Sequence, residues 1–284
     1  MTSITSVRSH RARRRLNQAL LYLVAVVVLA IIVIPLAYAV LGGFRTSSQL
    51  AADPVGLPDP WVFTNYTSQL TNPSFWGQVW RSFFIAAVTT LLVLPAASLA
   101  SYVIARYRFR GKEAIYTLFT MGLLFPIAVA VLPLFITLRQ ADLLNNPLGV
   151  AFPQAAFSLP LAIVILRPFF QSIPRDLTDA AVLDGCGPLR TYWSIMLPLS
   201  RPALATIAIL TVVTSWNAFI LPLLVLTEPD QWTLPIGVNN VSAQFVTDYA
   251  VVLAYTTLAM IPALAFYFMA QRQIVNGLTA GAVK

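Results

Sequence analysis

The sequence predicts an all-α integral membrane protein with six transmembrane helices, and three observations carry that prediction. Of 284 residues, 58% are hydrophobic and only 10% charged, with a mean hydropathy of +0.77. An ordinary globular domain carries about 25% charged residues, so this chain has too little charge to clothe a water-soluble domain of its length. Second, six long stretches hold no Asp, Glu, Lys or Arg: 16–44, 82–105, 114–138, 143–166, 202–227 and 249–271. As a helix rising about 1.5 Å per residue, the shortest spans about 34 Å, against a hydrocarbon core of about 30 Å. Third, Lys and Arg fall almost entirely into alternate connections between these stretches.

The elements follow in order. A basic tail, 1–19, precedes the first helix, 20–41. Ala37-Tyr38-Ala39 resembles a signal-peptidase site, but a signal peptide's apolar region runs about 7–15 residues; the run here extends from Leu20 to Val40, so a retained helix is expected. Residues 60–80 are also uncharged, yet Asn65, Gln69, Asn72, Pro73 and Gln78 make them read as a Trp-rich interfacial loop. Residues 231–247 fail as a span for the same reason. The remaining helices are expected at 82–105, 114–138, 149–166, 203–226 and 249–271, with a tail at 272–284, so the six-helix domain occupies 20–271.

Fifteen of the 18 Lys and Arg lie in the N-terminal tail, the second and fourth connections and the C-terminal end; Arg45, Arg81 and Arg139 alone lie opposite. Cytoplasmic loops carry the excess of Lys and Arg, so both termini are expected in the cytoplasm. The net charge of +8 is therefore a topology signal and not a nucleic-acid footprint. Other classes lack material. Cys186 and His10 are the lone Cys and His, leaving no metal site or histidine-based catalysis, and no Gly-rich phosphate loop of the G-x-x-x-x-G-K-[ST] type occurs. An ion-coupled secondary transporter commonly uses intramembrane Asp, Glu or His, and the six stretches contain none. No catalytic residue, metal ligand or cofactor is expected in this chain.

The fourth connection, 172–200, is the most informative. Asp176 and Asp179 complement the N-terminal end of a short helix beginning near Pro174. Leu177, Ala180, Ala181 and Asp184 share one face of it, and Gly185 suits the left-handed residue that ends it. Pro188 suits the start of a second short helix with Tyr192, Trp193 and Ile195, broken at Pro198. A compact helix-turn-helix with a small-residue face fits close approach by a partner, and equally an ordinary interfacial loop. In the fifth helix, Trp216 and Asn217 sit deep in an uncharged stretch, where an amide needs partners inside the bundle. Pro222 can open the helix there. A place on a solute path and plain helix packing both fit these residues, and Thr214 and Ser215 beside them.

Asp179-Ala180-Ala181, Asp184-Gly185, Tyr192, Ile195 and Leu197-Pro198-Leu199 resemble the EAA loop of ABC importer membrane subunits. Tyr102, Ala105-Arg106, Phe109 and Gly111-Lys112 resemble the segment after that family's second helix. Trp216-Asn217 with Pro222-Leu223 resembles its fifth-helix motif, and the ending from Gln271-Arg272 through Gly277 to Lys284 is similar to MalG-type carbohydrate permeases. The resemblance implies a type I importer permease fold in the bacterial cytoplasmic membrane, forming half of a path for an oligosaccharide, disaccharide or related solute, a glycerol phosphate ester being the alternative. It implies four kinds of partner: a second homologous permease, two ATPase subunits at which ATP and Mg act, an extracytoplasmic solute-binding protein, and lipid. Asp179, Ala180, Ala181, Asp184, Gly185 and Arg190 would couple to the ATPases, Gly277, Leu278 and Thr279 would touch them, and Trp216 and Asn217 would face the solute. The chain itself would be non-catalytic. Four positions depart from the pattern: Asp179 replaces the usual Glu, Cys186 an Ala, Arg81 an Asn, and Ala218 an acidic residue.

Overall fold

The computed structural model describes the backbone of residues 3–244 and 248–280, and the side chains of 17–244 and 248–268. Those residues form helices and connecting turns, without strands. In chain order the helices are α1 (Ser3–Gly42), α2 (Ser47–Ala52), α3 (Thr64–Leu70), α4 (Pro73–Arg106), α5 (Lys112–Gly122), α6 (Ile127–Gln140), α7 (Pro147–Ser172), α8 (Arg175–Leu183), α9 (Pro188–Thr191), a π-helical turn (Tyr192–Met196), α10 (Leu197–Leu199), α11 (Arg201–Trp216), α12 (Ile220–Val225), α13 (Leu234–Gln244) and α14 (Tyr249–Ala280).

Among the described residues, four segments are long and apolar enough to cross a membrane unaided: Asn17–Gly42, Pro73–Arg106, Pro147–Ser172 and Tyr249–Phe268. Two bent pairs raise the total to six if each pair is one span. They are α5 with α6, bent by 95°, and Pro188–Leu199 with α11, bent by 76°. The helix expected over 114–138 is thus broken. Gly122 ends α5, and Pro126, in extended conformation, precedes α6; a proline also pushes the residue before it away from helical geometry. The helix expected over 203–226 likewise stops at Trp216 and restarts at Ile220. Pro222 has no N–H to offer the carbonyl of residue 218, which favours the opening where it occurs. Part of the expected interfacial loop is helical: Asn72 caps Ser74 N–H and Pro73 occupies the first turn, so α4 starts nine residues before the charge-free stretch.

The chain divides into two compact units. The first comprises residues 1–69 and 244–257. Its long α1 leads into a small polar knot. Arg45 is buried and donates to the carbonyls of Gln49 and Asp53 at 2.8 and 2.6 Å. Asn65 Nδ2 donates to Gly43 and Arg45 carbonyls, and Tyr66 hydroxyl to Val40 carbonyl at 2.8 Å. Burial raises the Tyr66 pKa above its ordinary value. Thr46 and Gln49 form a capping box at α2, and Ser47 hydroxyl donates to Asp248.

The second unit comprises residues 70–243 and 258–284. Its axis is the pairing of α4 with α7, joined by α11. Small residues such as Ala97, Ala155, Ala162 and Ala203 let the backbones approach, while Ile163, Leu166 and Phe170 fill the layer between them. A second cluster around Ile85, Val150, Leu221 and Val225 holds α12 against α4 and α7. Gly149 is required here, because a Cβ on it would lie 2.1 Å from the Leu143 carbonyl oxygen.

Candidate functional site

Two places in the second unit gather the residues singled out by sequence. The first is the helix-turn-helix between α7 and α11. Its turn closes as expected: Gly185 adopts φ +78°, Gly185 N–H bonds Val182 carbonyl, and Cys186 N–H reaches back to Ala181 carbonyl at 2.8 Å. That double bond pattern satisfies the last carbonyls of α8 and needs a left-handed residue at the glycine. Asp179, Ala180, Asp184, Gly185 and Arg190 are exposed, but Ala181 is 3% exposed and packs into the protein. Sequence reasoning missed an apolar crest: Val182, Leu183 (88% exposed), Leu189 and Trp193 stand out to solvent on these short helices. Pro198 lies within the helical turn α10, and the break falls two residues later, at Ser200.

The base of this element is clasped from α4. Arg106 Nη1 donates to Ile173 carbonyl at 2.7 Å, and Nη2 to Thr178 hydroxyl at 2.9 Å and Pro174 carbonyl at 3.3 Å. The same guanidinium therefore binds both the end of α7 and the first turns of α8. Deeper in, Tyr192 shares a 2.6 Å hydrogen bond with Ser98 of α4 and packs its ring against Tyr102. The π-helical turn begins at Tyr192, and such turns in helices are frequent at functional sites. Beside it, Arg167 of α7 pairs with Glu113 and lies over the Tyr116 ring of α5, 3.8 Å from the centroid.

The second place is a cavity of about 430 Å³ where α7, the end of α11 and the start of α6 meet, a size usual for small-molecule sites. Both helix breaks reach it. Ile127 opens α6 after the sharp bend, and Asn217, Ala218 and Phe219 are the unwound link after α11. Irregular backbone within a span is tolerated where it is buried in protein or lines a cavity. Asn217 lines the space, its Nδ2 donating to Val213 carbonyl at 2.8 Å. Trp216 does not: it is 4% exposed, set edge-on against the Phe266 ring at 5.9 Å. Neighbours on a helix point about 100° apart, so adjacency to Asn217 does not by itself bring Trp216 to the cavity. Thr214 and Ser215 do line it.

Gln154, unmarked by sequence reasoning, is the polar centre of the wall. Its Oε1 accepts from Ser215 hydroxyl and from Thr89 hydroxyl, the latter at 3.3 Å. Gly277, Leu278 and Thr279 fall in the last turns of α14, and their side chains lie outside the described residues.

Membrane-spanning helices, a discontinuous pair of them around a polar-walled cavity, and a protruding helix-turn-helix together define a transporter subunit. Residues 94–278 match the family model described as "Binding-protein-dependent transport system inner membrane component". The chain belongs to that family. It is 32% identical over 278 residues to the diacetylchitobiose uptake system permease protein NgcG of Streptomyces coelicolor, covering 97% of this chain and 91% of that one. It is 33% identical over 258 residues to the arabinooligosaccharides transport system permease protein AraQ of Halalkalibacterium halodurans, covering 89% and 92%. The fold is also that of a bacterial ABC transporter involved in the import of the acidic polysaccharide alginate, with a TM-score of 0.77, 23% identity, and 93% and 97% of the two chains covered.

Proposed function

We propose that this chain is the permease subunit of an ATP-driven ABC importer for an oligosaccharide or disaccharide, embedded in the bacterial inner membrane with both termini in the cytoplasm. The observation that carries the reading is that one family match, 94–278, spans both the exposed turn around Gly185 and the cavity beside Asn217. Relatives named for diacetylchitobiose and arabinooligosaccharide transport support a saccharide cargo. On this reading a second, homologous permease completes the path. Two ATPases, where ATP and Mg act, dock on the crest of Leu183, Leu189 and Trp193, and a solute-binding protein delivers cargo from outside. The chain contributes no catalysis of its own.

The mechanism follows from the joints. Closure of the ATPases displaces α8, and Arg106 and Tyr192 carry that displacement into α4, which packs on α7 and α11 and reaches the cavity wall through Thr89 and Gln154. The tail around Gly277, Leu278 and Thr279 provides a further ATPase contact. The test is affinity purification of the tagged chain from its native host, followed by uptake of labelled chito-, arabino- and malto-oligosaccharides into proteoliposomes. Two ATPase copies should co-isolate and uptake should need ATP and the binding protein. Uptake driven by a proton gradient without nucleotide would overturn the reading.

A further inference from the structure

Gln154 is 7% exposed, and no protein group partners its amide nitrogen, Nε2. Turning the amide over does not cure this. Nε2 would then face the hydroxyls of Ser215 and Thr89, and Oε1 would be left over instead. One polar atom of a buried amide is therefore always unmatched by the protein, an arrangement that is costly in an apolar interior. The other polar atom of the side chain, Oε1, has two partners, Ser215 and Thr89. Thr89 comes from α4 and Ser215 from α11, so three helices converge on this one side chain.

The surroundings say what the missing partner is. Ser158, Thr214 and Asn217 add hydroxyl and amide groups, Phe157 and Phe219 add two aromatic rings, and no Asp, Glu, Lys or Arg lines the space. Hydrogen-bonding groups interleaved with apolar rings, without charge, suit an uncharged molecule that carries many hydroxyls on an otherwise apolar frame. The two helix breaks bound the same cavity, and discontinuous helices recur at the substrate sites of transporters. Gln154 lines the cavity while its nitrogen is itself shielded, and the last torsion of a glutamine is soft, so rotation about it can present the nitrogen to an occupant.

We propose that Gln154 is a specificity-determining residue of this subunit, its amide taking a hydroxyl of an uncharged saccharide as the solute passes the breaks after α5 and α11. The inference rests on the permease reading above and assigns to this chain a direct solute contact.

The experiment uses the whole complex in proteoliposomes, with the same binding protein throughout. ATP-dependent uptake of a transported neutral oligosaccharide is compared with that of its mono-deoxy analogues, for wild type, Gln154→Leu and Gln154→Met. One deoxy position should lower wild-type uptake at sub-saturating solute by roughly tenfold, the scale of one lost hydrogen bond to a group left unpaired. In Gln154→Leu the parent sugar should fall by a similar factor and the sensitivity to that deoxy position should vanish. Effects on binding-protein affinity cancel in this comparison, and ATPase stimulation by the binding protein should persist. A purely structural role would lower assembly and leave the deoxy sensitivity unchanged. If Gln154→Leu fails to assemble, the near-isosteric Gln154→Met keeps the length and has no donor, and the same loss is expected. Wild-type-like uptake in either assembled variant, or unchanged deoxy sensitivity, would overturn the inference alone. Absence of ATP-dependent uptake of any saccharide by the wild type would overturn the permease reading itself.

Discussion

Replacing Gly185 in turn by Asn, Ala and Val perturbs one quantity, the backbone conformation of a single turn. A Cβ at this position would meet no atom within 4 Å, so no steric clash enters. What remains is φ +78°, in the left-handed region. Asn tolerates it; an ordinary L-residue costs about 1 kcal/mol there and a β-branched one about 2. With RT near 0.6 kcal/mol, the population of the native turn relative to alternatives should fall about 5-fold for Ala and about 30-fold for Val. The complex should assemble normally in each case, because the residue is exposed and makes no packing contact. Uptake and ATPase stimulation by the binding protein, measured in proteoliposomes at matched protein amounts, should then rank wild type, Asn, Ala, Val. Full activity in Gly185→Val would show that this turn transmits nothing. An Asn variant as impaired as Val would show that a side chain is excluded by a partner surface, and that φ is not the issue.

Other positions give separate tests. Arg106→Ala removes the clasp on Ile173, Pro174 and Thr178 and should cost about 2 kcal/mol, discounted for partial exposure; thermal unfolding in detergent reads this, and uptake should fall further than stability does. Asn145 adopts φ +54° and its Oδ1 accepts from Thr227 N–H, Thr227 hydroxyl and Glu228 N–H. Asn145→Ala should loosen the 227–233 segment by about 2 kcal/mol, visible as faster amide exchange there, while Asn145→Asp stays near wild type. Gly149→Ala should destabilise by about 3 kcal/mol or displace the start of α7, since backbone atoms leave no room for the methyl; an unchanged melting temperature would refute that. Deleting residues 276–284 should leave membrane insertion intact and change the basal ATPase rate of the complex.

What was legible in the sequence was whatever is encoded locally. Absence of charge over more than twenty residues marks the spans, and the Gly185 and Pro188 punctuation marks the turn, because each depends on neighbouring residues alone. The bend of α5 against α6 was written in Gly122 and Pro126 as well, but an apolar average over 114–138 carries no dihedral information and hides it. Gln154 is a different kind of loss. Its partners Thr89 and Ser215 lie 65 and 61 residues away, so only packing reveals the cluster. A cue existed: the reasoning that singled out Asn217, an amide in hydrocarbon needing company, applies equally to Gln154. Trp216 was paired with Asn217 by adjacency alone, and neighbouring helical side chains point about 100° apart, so its packing against Phe266 was not legible. The apolar crest went unmarked because exposed Leu183 and buried Leu166 look alike without a surface to separate them.

The clasp made by Arg106 has a consequence for the conditions under which the machine runs. Its donor is a guanidinium, and its acceptors, carbonyl oxygens and a hydroxyl, carry no charge. Nor is either side of the joint a pair of opposite ions that dissolved electrolyte would weaken strongly. Dissolved salt therefore leaves this linkage mechanically stiff. On the proposed reading, any salt sensitivity of uptake would have to originate elsewhere in the assembly.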